Sequence, residues 1–329
     1  MGPAVMYKGQ LEKMLQAWLE DYRLVAPVRE GEQLLFKEIK NLDDLVLSDE
    51  LPYRSPKEFL FPQIQKLMTF DDQGELVVHE EAPKTLVFGV KPCDLETLQV
   101  LKAVFTQGPY QDPFFIQALE NTLFVGVGCM AEKPGCFCSE RGIRKDYSSS
   151  CDVFLQPEED GYLIRHLSEK GSSLMEEWVS GALPIESEEM PGETSETGRI
   201  LEIRADEDRV FHEPDWDEIS ERCMGCGICT YICPTCHCFT FKDVREKGRS
   251  SRYRLWDSCM YPKFTLHASG HNPRPSRKER FRQRVMHKYV YIPKNFGYTA
   301  CSGCGRCIRS CPAGMNIKTV VSGIMGELT

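Results

Sequence analysis

Two cysteine runs restrict this chain more than any other stretch. Cys223-Met-Gly-Cys226-Gly-Ile-Cys229-Thr-Tyr-Ile-Cys233-Pro234 is matched by Cys301-Ser-Gly-Cys304-Gly-Arg-Cys307-Ile-Arg-Ser-Cys311-Pro312. Both read C-x2-C-x2-C-x3-C-P, the spacing of bacterial [4Fe–4S] ferredoxins. Three thiolates spaced two residues apart can wrap one cubane in a tight loop, and the glycines between them let the backbone approach it. In two-cluster proteins the fourth Cys of each run ligates the other cluster. The expected ligand sets are therefore Cys223, Cys226, Cys229 and Cys311 for one cluster, and Cys301, Cys304, Cys307 and Cys233 for a second. Zinc ribbons use paired C-x2-C units, not a triplet followed by Cys-Pro, so two [4Fe–4S] clusters are expected.

The chain has 329 residues, enough for two domains, and sixteen cysteines, which is high for a cytosolic enzyme. The first residues lack the apolar core of a signal peptide, and no run approaches the eighteen apolar residues of a membrane span. The expectation is a cytoplasmic protein of anaerobic metabolism whose cysteines serve metal and not disulfides. Charge is unevenly spread. Residues 241–295 hold fifteen Lys and Arg against four Asp and Glu, a net +11, which leaves −20 on the rest of a chain of net charge −9. A solvated face, compensation of anionic clusters and nucleic-acid binding are the three readings. The last ranks lowest, because the segment lies inside the cluster module and has no reading helix or stacking motif.

Upstream, Leu11, Met14, Leu15, Trp18, Leu19 and Tyr22 form one helical stripe. Strands are expected near 24–28 and 34–39, and Ser55-Pro-Lys-Glu58 and Ser276-Arg-Lys-Glu279 read as capping boxes. Thr85-Leu-Val-Phe-Gly-Val90 is echoed by Thr122-Leu-Phe-Val-Gly-Val127, and each run leads within three residues to a cysteine, Cys93 or Cys129. A helix between them, with Asp94 as its cap, makes a strand–helix–strand crossover with parallel strands. Both cysteines then sit at the carboxyl edge of the sheet, where such sheets bind ligands. Cys136 and Cys138 lie in the following loop, so Cys93, Cys129, Cys136 and Cys138 can converge. A third [4Fe–4S] cluster, a four-thiolate zinc site and plain packing are the alternatives. A hairpin (153–155 with 162–166), a linker (184–198) and a strand (199–204) follow.

The expected fold is α+β: an N-terminal α/β domain (1–205) with a short, partly parallel sheet, then an all-helical two-cluster ferredoxin-like domain (206–329). Cys151, Cys236, Cys238 and Cys259 are left without an assigned role. No dinucleotide, phosphate-loop or nucleophile-elbow motif is present, so no catalytic residue is named.

Gly89-Val-Lys-Pro-Cys-Asp-Leu95, Cys136-Phe-Cys138, Cys233-Pro-Thr-Cys236 and Trp256-Asp-Ser-Cys259 occur in this order with both cluster runs. In this the chain resembles the iron–sulfur β subunit of cytoplasmic sulfhydrogenases, which is similar to the A subunit of anaerobic sulfite reductase. The resemblance implies an electron-transfer subunit in a hetero-oligomer. Its implied neighbours are a flavin subunit handling NAD(P) and a terminal redox subunit of hydrogenase, sulfite reductase or heterodisulfide-reductase type. It also weighs toward the third cluster. The competing expectation is an enzyme subunit that binds its own flavin or small substrate in the N-terminal domain.

Overall fold

The structure, a computed structural model, describes residues 4–71, 73–79, 82–179, 207–246 and 248–328. The linker and the strand expected over 184–204 lie outside them.

Eleven strands are described: β1 (Ala4–Tyr7), β2 (Arg23–Glu30), β3 (Gln33–Glu38), β4 (Ile64–Phe70), β5 (Leu76–Val78), β6 (Thr85–Val90), β7 (Thr122–Val127), β8 (Val153–Glu158), β9 (Gly161–His166), β10 (Phe239–Glu246) and β11 (Arg249–Trp256). Seven form one mixed sheet in the order β1-β9-β8-β7-β6-β2-β3. Its four middle strands, β8, β7, β6 and β2, run parallel, and the outer pairings are antiparallel. The echoed hydrophobic runs are β6 and β7, buried at every position. Parallel strands covered on both faces need such continuous apolar sequence. Leu11, Met14, Leu15 and Trp18 of the helix Lys8–Asp21 cover one face. The helices Pro92–Thr106 and Pro113–Glu120 cover the other through Leu95, Leu98, Leu101, Phe105 and Phe115.

The expected short sheet and all-helical second half are both wrong. The main sheet is large, and β10 and β11 form a hairpin that pairs with β4 in a second sheet, β10-β11-β4-β5. The second sheet thus draws strands from both sides of the expected boundary at residue 205. The reason the strands were missed is chemical. In β11 the inward positions include Arg254, and a charged residue at a core position hides a period of two. Arg254 is buried because it pairs with Asp112, donates to Gln65 Oε1 at 2.5 Å and lies 4.9 Å over the ring of Phe61.

Helix starts follow their sequence signals unevenly. The box at Ser276 and Glu279 forms as expected and opens the helix Arg277–Met286. The one at Ser55 does not: Pro56–Phe59 is a single 3-10 turn and Ser55 Oγ has no partner.

Candidate metal centre

Three groups of thiols come together. Cys223, Cys226, Cys229 and Cys311 line one concavity, with Cys307 at its inner wall and Phe281 and Met260 as apolar lining. The fourth cysteine of the second run thus faces the first run. Cys307 in turn lies against Cys233, Cys304 and Cys301, and Cys233 also neighbours Cys304. Helical turns beginning at Gly227 and Gly305, Ile228–Tyr231 and Arg306–Arg309, carry the third cysteine of each run.

The parallel crossover of β6 and β7 is present, and the cysteines of the third group lie at its carboxyl edge and in the loop that follows. Cys93 lies in the first turn of the helix that begins two residues after β6, and Cys129 lies two residues beyond β7. Asp94, however, does not cap that helix: Lys91 is the N-cap, and Asp94 is turned inward. Cys93 neighbours Cys129, Cys129 neighbours Cys136, and Cys138 neighbours both Cys136 and Cys129. This group rests on the second run. Phe137 N donates to Gly303 O at 2.8 Å, Cys136 Sγ to Cys304 O at 3.3 Å, and Cys93, Cys138 and Cys304 share one buried cluster. The order in space is Cys129 group, second run, first run.

Burial alone holds these thiols protonated. It pushes Cys304 up to about 11, and Cys307 and Cys138 up to about 12. A thiolate here therefore needs compensating positive charge, and the chain supplies it. Lys288 Nζ donates to Cys233 Sγ at 3.0 Å; burial opposes its charge, but the thiols of Cys233 and Cys236 outweigh that and raise its pKa. Arg284 is buried between Cys229 and Cys307. Lys57, buried by the 3-10 turn, donates to Cys233 O at 2.9 Å and Cys236 O at 2.8 Å and lies 4.1 Å over the Trp256 ring. None of the three pairs with a carboxylate among the described residues. Four basic residues of the 241–295 segment, Arg254, Arg280, Arg284 and Lys288, thus point inward, and Arg284 and Lys288 meet thiols. Of the readings of that segment, compensation is the one these side chains support.

The residues present fit iron–sulfur clusters by a second observation. Among the described residues Arg141 Nη1, Arg284 Nε, Tyr289 Oη and Ser302 Oγ are buried side-chain atoms without a hydrogen-bond partner, as are four others at Ser55, Gln117, Tyr147 and Arg254. The first four belong to residues at the cysteine groups: Arg141 Nε donates to Cys301 O at 3.2 Å, Arg284 and Tyr289 lie against thiols, and Ser302 follows Cys301. Orphaned buried donors cost about 1–3 kcal/mol each. Cluster sulfur is an acceptor that would take them.

Of the unassigned cysteines, Cys151 packs beside β8 and donates to Val153 O at 3.3 Å. Cys236 lies against Cys233, and Cys238 against Cys259 at the base of the β10–β11 hairpin. His237 and His287 pack 5.4 Å apart, and burial lowers them to about 4 and about 3. Sequence reading missed Lys57, Arg141, Arg284, Lys288, Tyr289 and Arg306 as residues of the centre. Lys57 lies inside Ser-Pro-Lys-Glu-Phe and Arg306 inside the second run, so the motifs held them without showing which way they face.

Fold and thiol groups together define an iron–sulfur electron-transfer protein. A family model described as a 4Fe-4S dicluster domain matches residues 222–315. Over 303 residues the chain is 33% identical to Sulfhydrogenase 2 subunit beta of Pyrococcus furiosus, covering 88% of this chain and 89% of that one. The chain belongs to the family of sulfhydrogenase β subunits. No solved structure matches it.

Proposed function

We propose that this protein is the electron-relay subunit of a cytoplasmic hetero-oligomeric oxidoreductase. Its neighbours would be a flavin subunit that handles NAD(P) and a terminal redox subunit of hydrogenase, sulfite reductase or heterodisulfide-reductase type. The relative's name, a subunit of a sulfhydrogenase, supports an assembly of this kind. Among the described residues no helix is long and apolar enough to cross a membrane.

The observation that carries this reading is the unbroken line of three thiol groups. In it the first set (Cys223, Cys226, Cys229, Cys311), the second (Cys301, Cys304, Cys307, Cys233) and the third (Cys93, Cys129, Cys136, Cys138) would each hold one [4Fe–4S] cluster. Bound clusters supply one-electron steps. The protein's own residues position them, exclude water from the middle and expose the ends. At one end Cys226 is exposed and Met224 is 68% accessible; at the other Met130, beside Cys129, is 71% accessible. Neither the second nor the third set has an exposed cysteine, so the third set meets solvent through Met130 and not through a thiol. Electrons would thus enter and leave at opposite ends. The test is anoxic affinity purification from the native cell with identification of co-purifying subunits, plus iron and acid-labile sulfide analysis. About twelve of each per chain are expected. Isolation as a lone chain with four iron atoms or fewer would refute the reading.

A second reading has one observation in its favour. A pocket opens at the carboxyl edge of β2, β6 and β7, lined by Pro27, Phe88, Gly89, Lys91, Gly128 and Met130 among others. It adjoins the third set, where a flavin or small substrate would be well placed. Turnover of nicotinamide and dye by the isolated chain would favour this reading over a pure relay.

A further inference from the structure

The helix that crosses the cluster-bearing half is not uniform. Arg277–Met286 is α-helical, His287–Tyr291 is a π-helical turn, and Ile292–Phe296 resumes the α-helix. π-turns are rare and concentrate at functional sites. This one presents two successive side chains to the second set. Lys288 Nζ donates to Cys233 Sγ at 3.0 Å, to Thr235 Oγ1 at 2.8 Å and to Ala300 O at 3.0 Å. The Lys288 carbonyl accepts from Ala300 N at 3.2 Å, which ties the turn to the residue before Cys301. Tyr289, 1% exposed, has its hydroxyl beside the Cys301 thiol and without another partner. One ammonium and one phenol therefore address two different sulfurs of the same set.

The first set receives nothing comparable. Its sulfurs accept from backbone amides only, Gly225 N to Cys223 at 3.4 Å and Met315 N to Cys311 at 3.3 Å, among the described residues. Arg284 lines the first set's concavity beside Cys229 and also lies near Cys307 and Cys233, so the two sets share its charge, and no hydrogen bond from it to a sulfur is formed among the described residues. Among the described residues the third set's sulfurs accept one side-chain contact, Arg309 Nη1 to Cys136 Sγ at 3.8 Å, and the buried Lys91 lies near Cys129 without a hydrogen bond to it.

Reduction adds a negative charge to a cluster. Hydrogen bonds to ligand sulfurs and nearby positive charge stabilise that state and raise its potential. Burial acts the other way, but an ammonium in direct contact with the sulfur in a low-dielectric setting outweighs it. We propose that Lys288 and Tyr289, held in place by the π-turn, give the second set's cluster a higher reduction potential than the first set's. An electron then rests in the middle of the relay, away from solvent, and either end draws on it. This rests on the ligand sets proposed above.

The test is an EPR-monitored redox titration of the anoxic full-chain holoprotein and its variants, with iron content measured in each. In the parent the wave that survives both Cys311→Ser and the pair Cys136→Ser/Cys138→Ser should lie above the one that Cys311→Ser abolishes. Lys288→Met should lower the surviving wave by at least tenfold in reduction equilibrium constant, about 59 mV for one electron. Tyr289→Phe should lower it by less, and Lys288→Arg should retain most of it. Should Lys288→Met lose iron, Tyr289→Phe decides alone. An unmoved wave at full iron content overturns the inference and leaves the ligand sets standing. A shift in the wave that Cys311→Ser abolishes overturns the ligand sets, and the inference with them.

Discussion

Asp94 and Arg306 close a bidentate ion pair across 212 residues of sequence, with Nη1 to Oδ1 at 2.5 Å and Nη2 to Oδ2 at 2.7 Å. Their side chains are 0% and 1% exposed, and Arg306 Nε also donates to Pro52 O at 2.8 Å. Asp94 follows Cys93, and Arg306 lies between Cys304 and Cys307. The pair therefore fastens the third set to the second. Removing one partner strands a buried charge, at a cost of about 3–5 kcal/mol. Arg306→Leu should lower the anoxic thermal midpoint sharply, and the double variant Asp94→Leu/Arg306→Leu should recover much of that loss. Equal midpoints for single and double variants would contradict a coupled pair.

Exchange of the fourth ligand predicts a displaced effect. Cys311→Ser, a change in the second run, should damage the cluster held by the first run, because Cys311 shares a concavity with Cys223, Cys226 and Cys229. Low-temperature EPR of the reduced protein reads this. Loss confined to the cluster of Cys301, Cys304 and Cys307 would count against cross-ligation.

The third set is best tested within the whole chain, since a fragment ending near residue 205 would strip β4 of its partner β11. Cys136→Ser combined with Cys138→Ser should reduce iron from about twelve to about eight per chain. Zinc bound in place of the missing iron in the parent protein would make this group a structural metal site instead.

Two glycines in the second run should tolerate no side chain. Gly303 and Gly305 have φ of +67° and +72°, and a Cβ there would lie 2.6 Å from Phe137 O and 2.3 Å from Gly135 O. Left-handed backbone costs a non-glycine residue about 1–2 kcal/mol even without a clash. Gly305→Ala should push the Gly135–Cys138 loop away and lower iron occupancy in both the second and third sets. Gly297→Ala, with a similar φ of +75° but open space around it, should cost the strain alone and keep its iron.

What could be read in the sequence follows from how local each signal is. The cluster runs, the echoed strands β6 and β7 and the box at Ser276 carry their information within a dozen residues. So did the convergence of Cys93 with Cys129, because parallel neighbours with similar runs put their ends side by side. The second sheet was invisible because its pairing joins β4 to β11, and because Arg254 and Arg252 made β11 look like solvated surface. The basic segment left its readings open for the same reason: compensation was among them, but Arg284 and Lys288 also count as surface charge until their neighbours, distant thiols, are in view. The glycine runs announced close approach, but that Gly303 and Gly305 approach the Cys136 loop and not only a cluster was a matter of tertiary contact.

The joining of β4 to β11 has a consequence for how the protein is made. At roughly 5–20 residues per second of synthesis, β4 waits on the order of ten to forty seconds for its partner to emerge. Lys57 waits almost as long for the carbonyls of Cys233 and Cys236, 176 and 179 residues downstream. The wall of the third set is later still, because Gly303 and Gly305 are its backing. Iron delivered to Cys93 and Cys129 on a nascent chain would find half a site. Loading of the N-terminal thiols would thereby be coupled to completion of the C-terminal run, and a chain truncated by stalled synthesis would leave those cysteines open to scavenging or oxidation.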